Sequence, residues 1–182
     1  MAVLTQFTIR KGNHFCWPRV FKMRQDTRQI CWKAIFADTC NYNLGNEDQE
    51  DWNKLLGIFY NLLDPHDNTV MVGWRYNPKT NLIELNAYFH LNKERFFTDT
   101  LMTIGFMQDL YVTFNIDYKQ QTYQVVLESP NTGSRAEYTQ AFKHNRTRNW
   151  EINFYFGGNQ PAPQTISVWK GQIDPSEIKT GL

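Results

Sequence analysis

Two neighbouring stretches alternate apolar and polar residues so regularly that a sheet is the only element they suit. In Thr69–Tyr76, Val70, Val72, Trp74 and Tyr76 share one face, and Met71, Gly73 and Arg75 share the other. In Leu82–Leu91 the first face is Ile83, Leu85, Ala87, Phe89 and Leu91, and the alternates are Leu82, Glu84, Asn86, Tyr88 and His90. Strand side chains repeat every two residues and helical ones about every 3.6, so this pattern predicts strands. The polar connection Asn77–Asn81 predicts that the two form a hairpin. Leu110–Tyr118 repeats the pattern, with Val112, Phe114, Ile116 and Tyr118 inward and Thr113, Asn115 and Asp117 outward. Trp150–Phe156 reads as Trp150, Ile152, Phe154 and Phe156 against Glu151, Asn153 and Tyr155.

Further strands are expected at Phe7–Arg10, Arg19–Met23, Gln29–Ala37, Asn53–Tyr60, Thr122–Glu128 and Thr165–Trp169. Turn clusters rich in Asn, Asp, Pro and Gly separate them. Asp48–Leu56 and Glu137–Lys143 are short helix candidates, and neither changes the class. Residues 1–182 are expected to form one β-sandwich domain, since no linker or repeat divides them. Trp74 and Trp150 lie in phase with core residues and are expected inside. Trp169 lies out of phase, and Trp17 before Pro18 suits a loop.

Charge and composition narrow the function. With 19 basic and 18 acidic residues the net charge is +1, which gives no electrostatic pull toward nucleic acid. Lys143, Arg146 and Arg148 read as a solvated loop. No apolar run approaches the ~18 residues of a membrane span. Met1–Gln6 lacks the charged-then-apolar order of a leader, so a cytoplasmic or virion-associated protein is expected. Three cysteines, Cys16, Cys31 and Cys40, suit free thiols in a reducing compartment, with a Cys31–Cys40 bridge as the minor alternative.

Four segments carry a resemblance. They are Gly12-Asn13-His14, Gly73-Trp74-Arg75-Tyr76, Ile83-Glu84-Leu85 with Tyr88 and His90, and Tyr155-Phe156-Gly157-Gly158-Asn159-Gln160-Pro161-Ala162-Pro163. In order along the chain they resemble the concanavalin-A-like lectin/glucanase superfamily, its polysaccharide-lyase-type jelly rolls, and small bacterial and phage-borne proteins. The resemblance implies an all-β fold, a two-sheet antiparallel β-sandwich of jelly-roll form. The enzymes' own signatures are missing. There is no Arg-x-Glu-x-Arg, Gln-x-His or Tyr-Phe-Lys-x-Gly-x-Tyr strand, and Tyr155-Phe156-Gly157-Gly158 lacks the lysine and second tyrosine. Glu47, Asp48, Glu50 and Asp51 do not reproduce Glu-x-Asp-x-x-Glu, whose carboxylates must stand about 5–5.5 Å apart for retaining hydrolysis. They read as an acidic turn, and no catalytic residue is assigned.

The candidate ligand face is the polar side of the central hairpin: Arg75, Glu84, Asn86, Tyr88 and His90, joined by Asn153 and Tyr155 from a neighbouring strand. Amides and carboxylates hydrogen-bond vicinal hydroxyls, and rings stack on the apolar face of a sugar. The plainer reading is a solvated sheet face with cross-strand pairs such as Arg75–Glu84. Asp64, His66, Asp67 and Asn68 offer oxygen ligands to calcium, but they are also good turn chemistry. The expectation is therefore no cofactor, with calcium as the alternative. A glycan-binding module without enzymatic activity is the first functional reading. A structural or assembly protein that forms an oligomer is the second. A divergent polysaccharide lyase or hydrolase built on Arg75, Tyr88 and His90 is the third.

Overall fold

The computed structural model describes residues 3–178. Met1 and Ala2, at the head of the leader reading, and residues 179–182 lie outside the described residues. The first strands are β1 (Thr5–Ile9), β2 (Cys16–Trp17), β3 (Met23–Arg24), β4 (Gln29–Phe36), β5 (Asn53–Phe59), β6 (Asn68–Asn77) and β7 (Leu82–Leu91). Then come β8 (Glu94–Phe97), β9 (Met102–Ile104), β10 (Leu110–Asp117), β11 (Thr122–Ser129), β12 (Ser134–Ala141), β13 (Asn149–Ile152) and β14 (Ile166–Ile173). Short 3-10 turns are the only helical pieces among the described residues.

The strands form two antiparallel sheets. One runs β12-β11-β10-β4-β14-β1-β2 and the other β3-β13-β5-β6-β7-β8, with β9 also on β7. The expected hairpin is present, with Arg75 opposite Glu84, Gly73 opposite Asn86, Met71 opposite Tyr88 and Thr69 opposite His90. The faces predicted to be apolar meet between the sheets. Val70, Val72 and Trp74 are fully buried, as are Ile83, Leu85 and Phe89. They pack in one core with Ile30, Trp32 and Phe36 of β4 and with Val112, Phe114 and Ile116 of β10. Burying one such side chain contributes about 1.5–3 kcal/mol. The jelly-roll sandwich expected from the sequence is therefore the observed class.

Several local expectations fail. Glu137–Lys143 is not helical: β12 covers Ser134–Ala141 and pairs with β11 along its whole length. The Asp48–Leu56 helix is a 3-10 turn at Glu47–Glu50 that leads into β5, and Asn46, not Asp48, caps it. Arg19–Met23 forms no strand before Met23. Pro18 has no amide hydrogen to give a ladder there. Trp150–Phe156 is a strand only to Ile152, where its alternation is inverted, while Phe154 and Phe156 beyond it are buried in the core as expected. Trp150 sits opposite Phe59, and Glu151 sits opposite the buried Ile58. Trp150 is thus half-buried on the outer face, stacked on Phe59 at 5.8 Å, and is not a core residue. Glu151 points inward because Arg24 and Lys170 meet its carboxylate there. Trp17 is exposed, on the edge strand β2. Trp169, the out-of-phase residue, is half-buried. All three cysteines are free and buried, so the Cys31–Cys40 bridge does not form.

One irregularity positions the site. The register between β5 and β6 shifts at Lys54/Leu56, a β-bulge. Leu55 and Leu56 are consecutive, yet both are fully buried. The extra residue keeps Asn53 and Ile58 facing inward and leaves Lys54, Gly57 and Phe59 on the outer face, opposite Gly73, Met71 and Thr69.

Candidate functional site

The outer face of the second sheet carries two cavities. The larger, about 450 Å³, is lined by Phe15, Arg19, Phe59, His66, His90 and Tyr155 among others. Another, about 430 Å³, is lined by Glu50, Trp52, Arg75, Tyr88, Arg95 and Phe97 among others. Lys54 lines both.

At one end Arg75 is fully engaged. Its Nε donates to Glu84 at 2.7 Å, its Nη1 meets Glu50 at 2.7 Å, and its guanidinium lies 4.4 Å from the Trp52 ring. Glu84 also accepts from Asn77 at 2.7 Å and from Thr100 at 3.3 Å. Burial pushes the Glu84 carboxyl up, but the bonds from Asn77, Arg75 and Thr100 outweigh it and hold it below the usual range. Asn86 is buried and donates to the Thr98 carbonyl at 3.2 Å. Its amide lies over Gly73, where a Cβ would overlap it. Glycine at position 73 is what lets this amide lie against the sheet.

The middle and far end are different. The Lys54 ammonium lies 4.7 Å from the Tyr155 ring and 6.0 Å from the Tyr88 ring. No hydrogen bond or ion pair reaches it among the described residues. Burial, and then Arg95, lower its pKa from the usual lysine value. Tyr155 exchanges two backbone hydrogen bonds with Lys54, each 2.9 Å, which continues the sheet past the end of β13. Its ring stacks on His14 at 5.6 Å and meets the edge of Phe15 at 5.2 Å. His90 is 5% exposed, and its Nε2 lies 3.3 Å from His66 Nδ1. Its own Nδ1 has no partner. Burial, and then His66, push the His90 pKa down to about 4, so the ring is neutral at pH 7. Tyr88 lies edge-on to His90 at 5.5 Å.

Thus the hairpin residues share one face, but they split into two environments. Tyr88, His90 and Tyr155 line the cavities. Arg75 and Glu84 are committed to each other, and Asn86 is covered. Asn153 borders the larger cavity, but its amide brackets Val20, accepting from its N–H at 2.7 Å and donating to its carbonyl at 2.9 Å. Sequence reading missed Lys54, Trp52, Arg95 and Phe97 as site residues, and it offered His66 only as part of a calcium turn. The paired Leu55-Leu56 before Gly57 was the one available signal, since it marks the bulge that turns Lys54 outward. The Asp64–Asn68 turn serves itself: Asp64 accepts from the His66 backbone at 3.1 Å, and Asp67 binds Asn61 and Arg146. Among the described residues no three His, Cys, Asp or Glu side chains gather as a metal centre. No helix among them is long and apolar enough to cross a membrane.

No protein-family model matches the chain. No curated protein matches it in sequence. Solved structures do match in shape. The alginate lyase AlyC3 superposes with a TM-score of 0.56 at 10% identity, over 93% of this chain and 74% of the lyase. A heptameric SAP-like pentraxin from Limulus polyphemus gives 0.44 at 10% identity, over 91% and 73% of the two chains. Winged bean acidic lectin complexed with methyl-alpha-D-galactose gives 0.44 at 9% identity, over 94% and 100%. At such identities the likeness to the lyase concerns the fold alone, a jelly-roll sandwich of two antiparallel sheets.

Proposed function

We propose that the chain is a carbohydrate-binding module without catalytic activity, and that its ligand lies along the outer face of the second sheet. The pair of cavities that meet at Lys54, walled by Trp52, Tyr88, Phe97 and Tyr155, carries this reading. Rings of this kind stack on pyranoses, and the polar groups between them reach hydroxyls. Lys54, Arg19 and Arg95 have no acidic partner among the described residues. That favours a sugar bearing a carboxylate or sulfate over a neutral one. A glycan array of acidic and neutral sugars, followed by calorimetry on the wild type, Lys54→Met and Tyr155→Ala, tests the proposal. Binding lost in both variants supports it, and binding unchanged in both removes the site.

A lyase is the second reading. Its support is the contact of Tyr88 with a His90 held neutral, a pair able to accept and pass on a proton. In that reading Lys54, not the engaged Arg75, supplies the free positive charge. Unsaturated products from a polyuronate, absent with His90→Gln, would favour it. An assembly role draws support from the exposed Trp17 and Phe21. A discrete oligomer by light scattering without any glycan binding would favour that role.

A further inference from the structure

A second concentration of charge lies inside the sandwich, behind the larger cavity of the proposed sugar site, whose wall Glu151 joins. Lys170 of β14 points between the sheets and keeps 2% side-chain exposure. Its Nζ lies 3.5 Å from Glu151 Oε1 and 4.7 Å from the Phe7 ring. Arg24 of β3 enters from the edge of the second sheet and keeps 9%. Its Nη2 donates to Glu151 at 2.6 Å and to Gln172 at 3.1 Å. Gln172 also accepts from the exposed Lys22, so a polar path leads from the rim inward.

Two facts stand out in this seam. Arg24 and Lys170 face a single carboxylate, Glu151, so one buried positive charge has no counterion. The unmet atoms are also all donors. Arg24 Nε and Nη1 have no partner, and neither does Nε1 of Trp32, whose ring lies 5.8 Å from the Arg24 guanidinium. A buried donor left unpaired costs about 1–3 kcal/mol, and more when it is charged. Loss of the Lys170 proton would remove the excess charge but leave all three N–H groups unmet. A water brings hydrogens of its own that would need acceptors. An anion has only acceptors and carries the missing charge.

We infer that the seam between Arg24, Trp32 and Lys170 binds a small inorganic anion of chloride size. The anion completes the interior of the sandwich, and its site lies on the inner side of Glu151, which also borders the larger cavity. Lys22 and Gln172 mark its entry.

Chloride is the probe. Thermal unfolding of the wild type is followed as chloride replaces methanesulfonate at fixed ionic strength. The chloride-35 linewidth is measured in parallel with free protein. The expected result is a saturable rise in Tm, on the order of 5 °C at a hundredfold excess over Kd. Excess chloride line broadening should accompany it. Arg24→Gln and Lys170→Met should lose both responses. A Tm indifferent to the anion overturns the inference, as does a response of equal size in folded Arg24→Gln and Lys170→Met. If neither variant folds, the wild type decides: saturation supports the site, and a linear or absent response sinks it. Glycan binding is read separately with Lys54→Met, so failure of one proposal leaves the other standing.

Discussion

The two ends of the outer groove are built from similar residues and put them to opposite use. At the Arg75 end the charges of the hairpin itself have partners: Glu84 and Glu50 take the guanidinium, and Asn77 and Thr100 complete Glu84. At the Lys54 end the ammonium has rings for neighbours and no acid among the described residues, and the His90 Nδ1 is unmet. A satisfied network holds a structure together, and an unsatisfied one is poised for something that arrives from outside. Stability changes should therefore concentrate at the first end and binding changes at the second.

The largest effect is expected at the satisfied end. Arg75→Met should cost about 3 kcal/mol, because it leaves the 12%-exposed Glu84 carboxylate without its cation. Chemical denaturation checks it, and a loss under about 1 kcal/mol would erase the contrast between the ends. Next comes acid sensitivity at the other end. His90 holds fewer protons folded than unfolded, since its pKa drops to about 4 from the ordinary 6.5. Its contribution is complete above pH 6.5 and is lost as pH falls toward 4. His144, also pushed down to about 4, chiefly by burial, acts the same way. Unfolding measured across that window should show a fall of about 2 kcal/mol from His90, removed in His90→Gln. A slope unchanged in the variant would place the sensitivity elsewhere. Lys54→Met should weaken sugar binding about tenfold, or about 1.4 kcal/mol, with stability unchanged or slightly raised. Calorimetry and melting together separate the two quantities, and a destabilised variant with intact binding would reverse the assignment. Smallest is Thr100→Ala, which removes one 3.3 Å bond to Glu84 and should cost about 0.5 kcal/mol in a melt without touching affinity.

The sandwich was legible where core and solvent faces alternate without interruption, as in β6, β7 and β10. It was misread where something breaks that rhythm. In β13 a buried carboxylate occupies an inward position, so Glu151 looked like an outward residue until Arg24 and Lys170 were seen beside it. In β12 the exposed edge strand carries Glu137, Thr139 and Gln140 in place of an apolar stripe, and polarity was read as helix. The candidate face was found because β7 alternates cleanly, but Arg75 and Asn86 were given to a ligand when neighbours already held them. No local pattern reports a partner such as Glu50 or Thr98 from elsewhere in the chain. Lys54 went unseen because Asn53–Tyr60 does not alternate at all.

That last failure has a consequence for how the chain tolerates change. The bulge at Leu55 works like a shift of reading frame within one strand: residues before it are counted in one phase and residues after it in the other. Substituting Leu55 would only alter packing, whereas deleting it would restore the regular rhythm. Asn53, Lys54, Leu56, Gly57 and Ile58 would then alternate inward and outward as they do now, opposite Trp74, Gly73, Val72, Met71 and Val70 in unbroken register. A one-codon deletion at this position would thus leave the groove's central cation in place, whereas flattening the bulge with every residue kept would turn Lys54 toward the core.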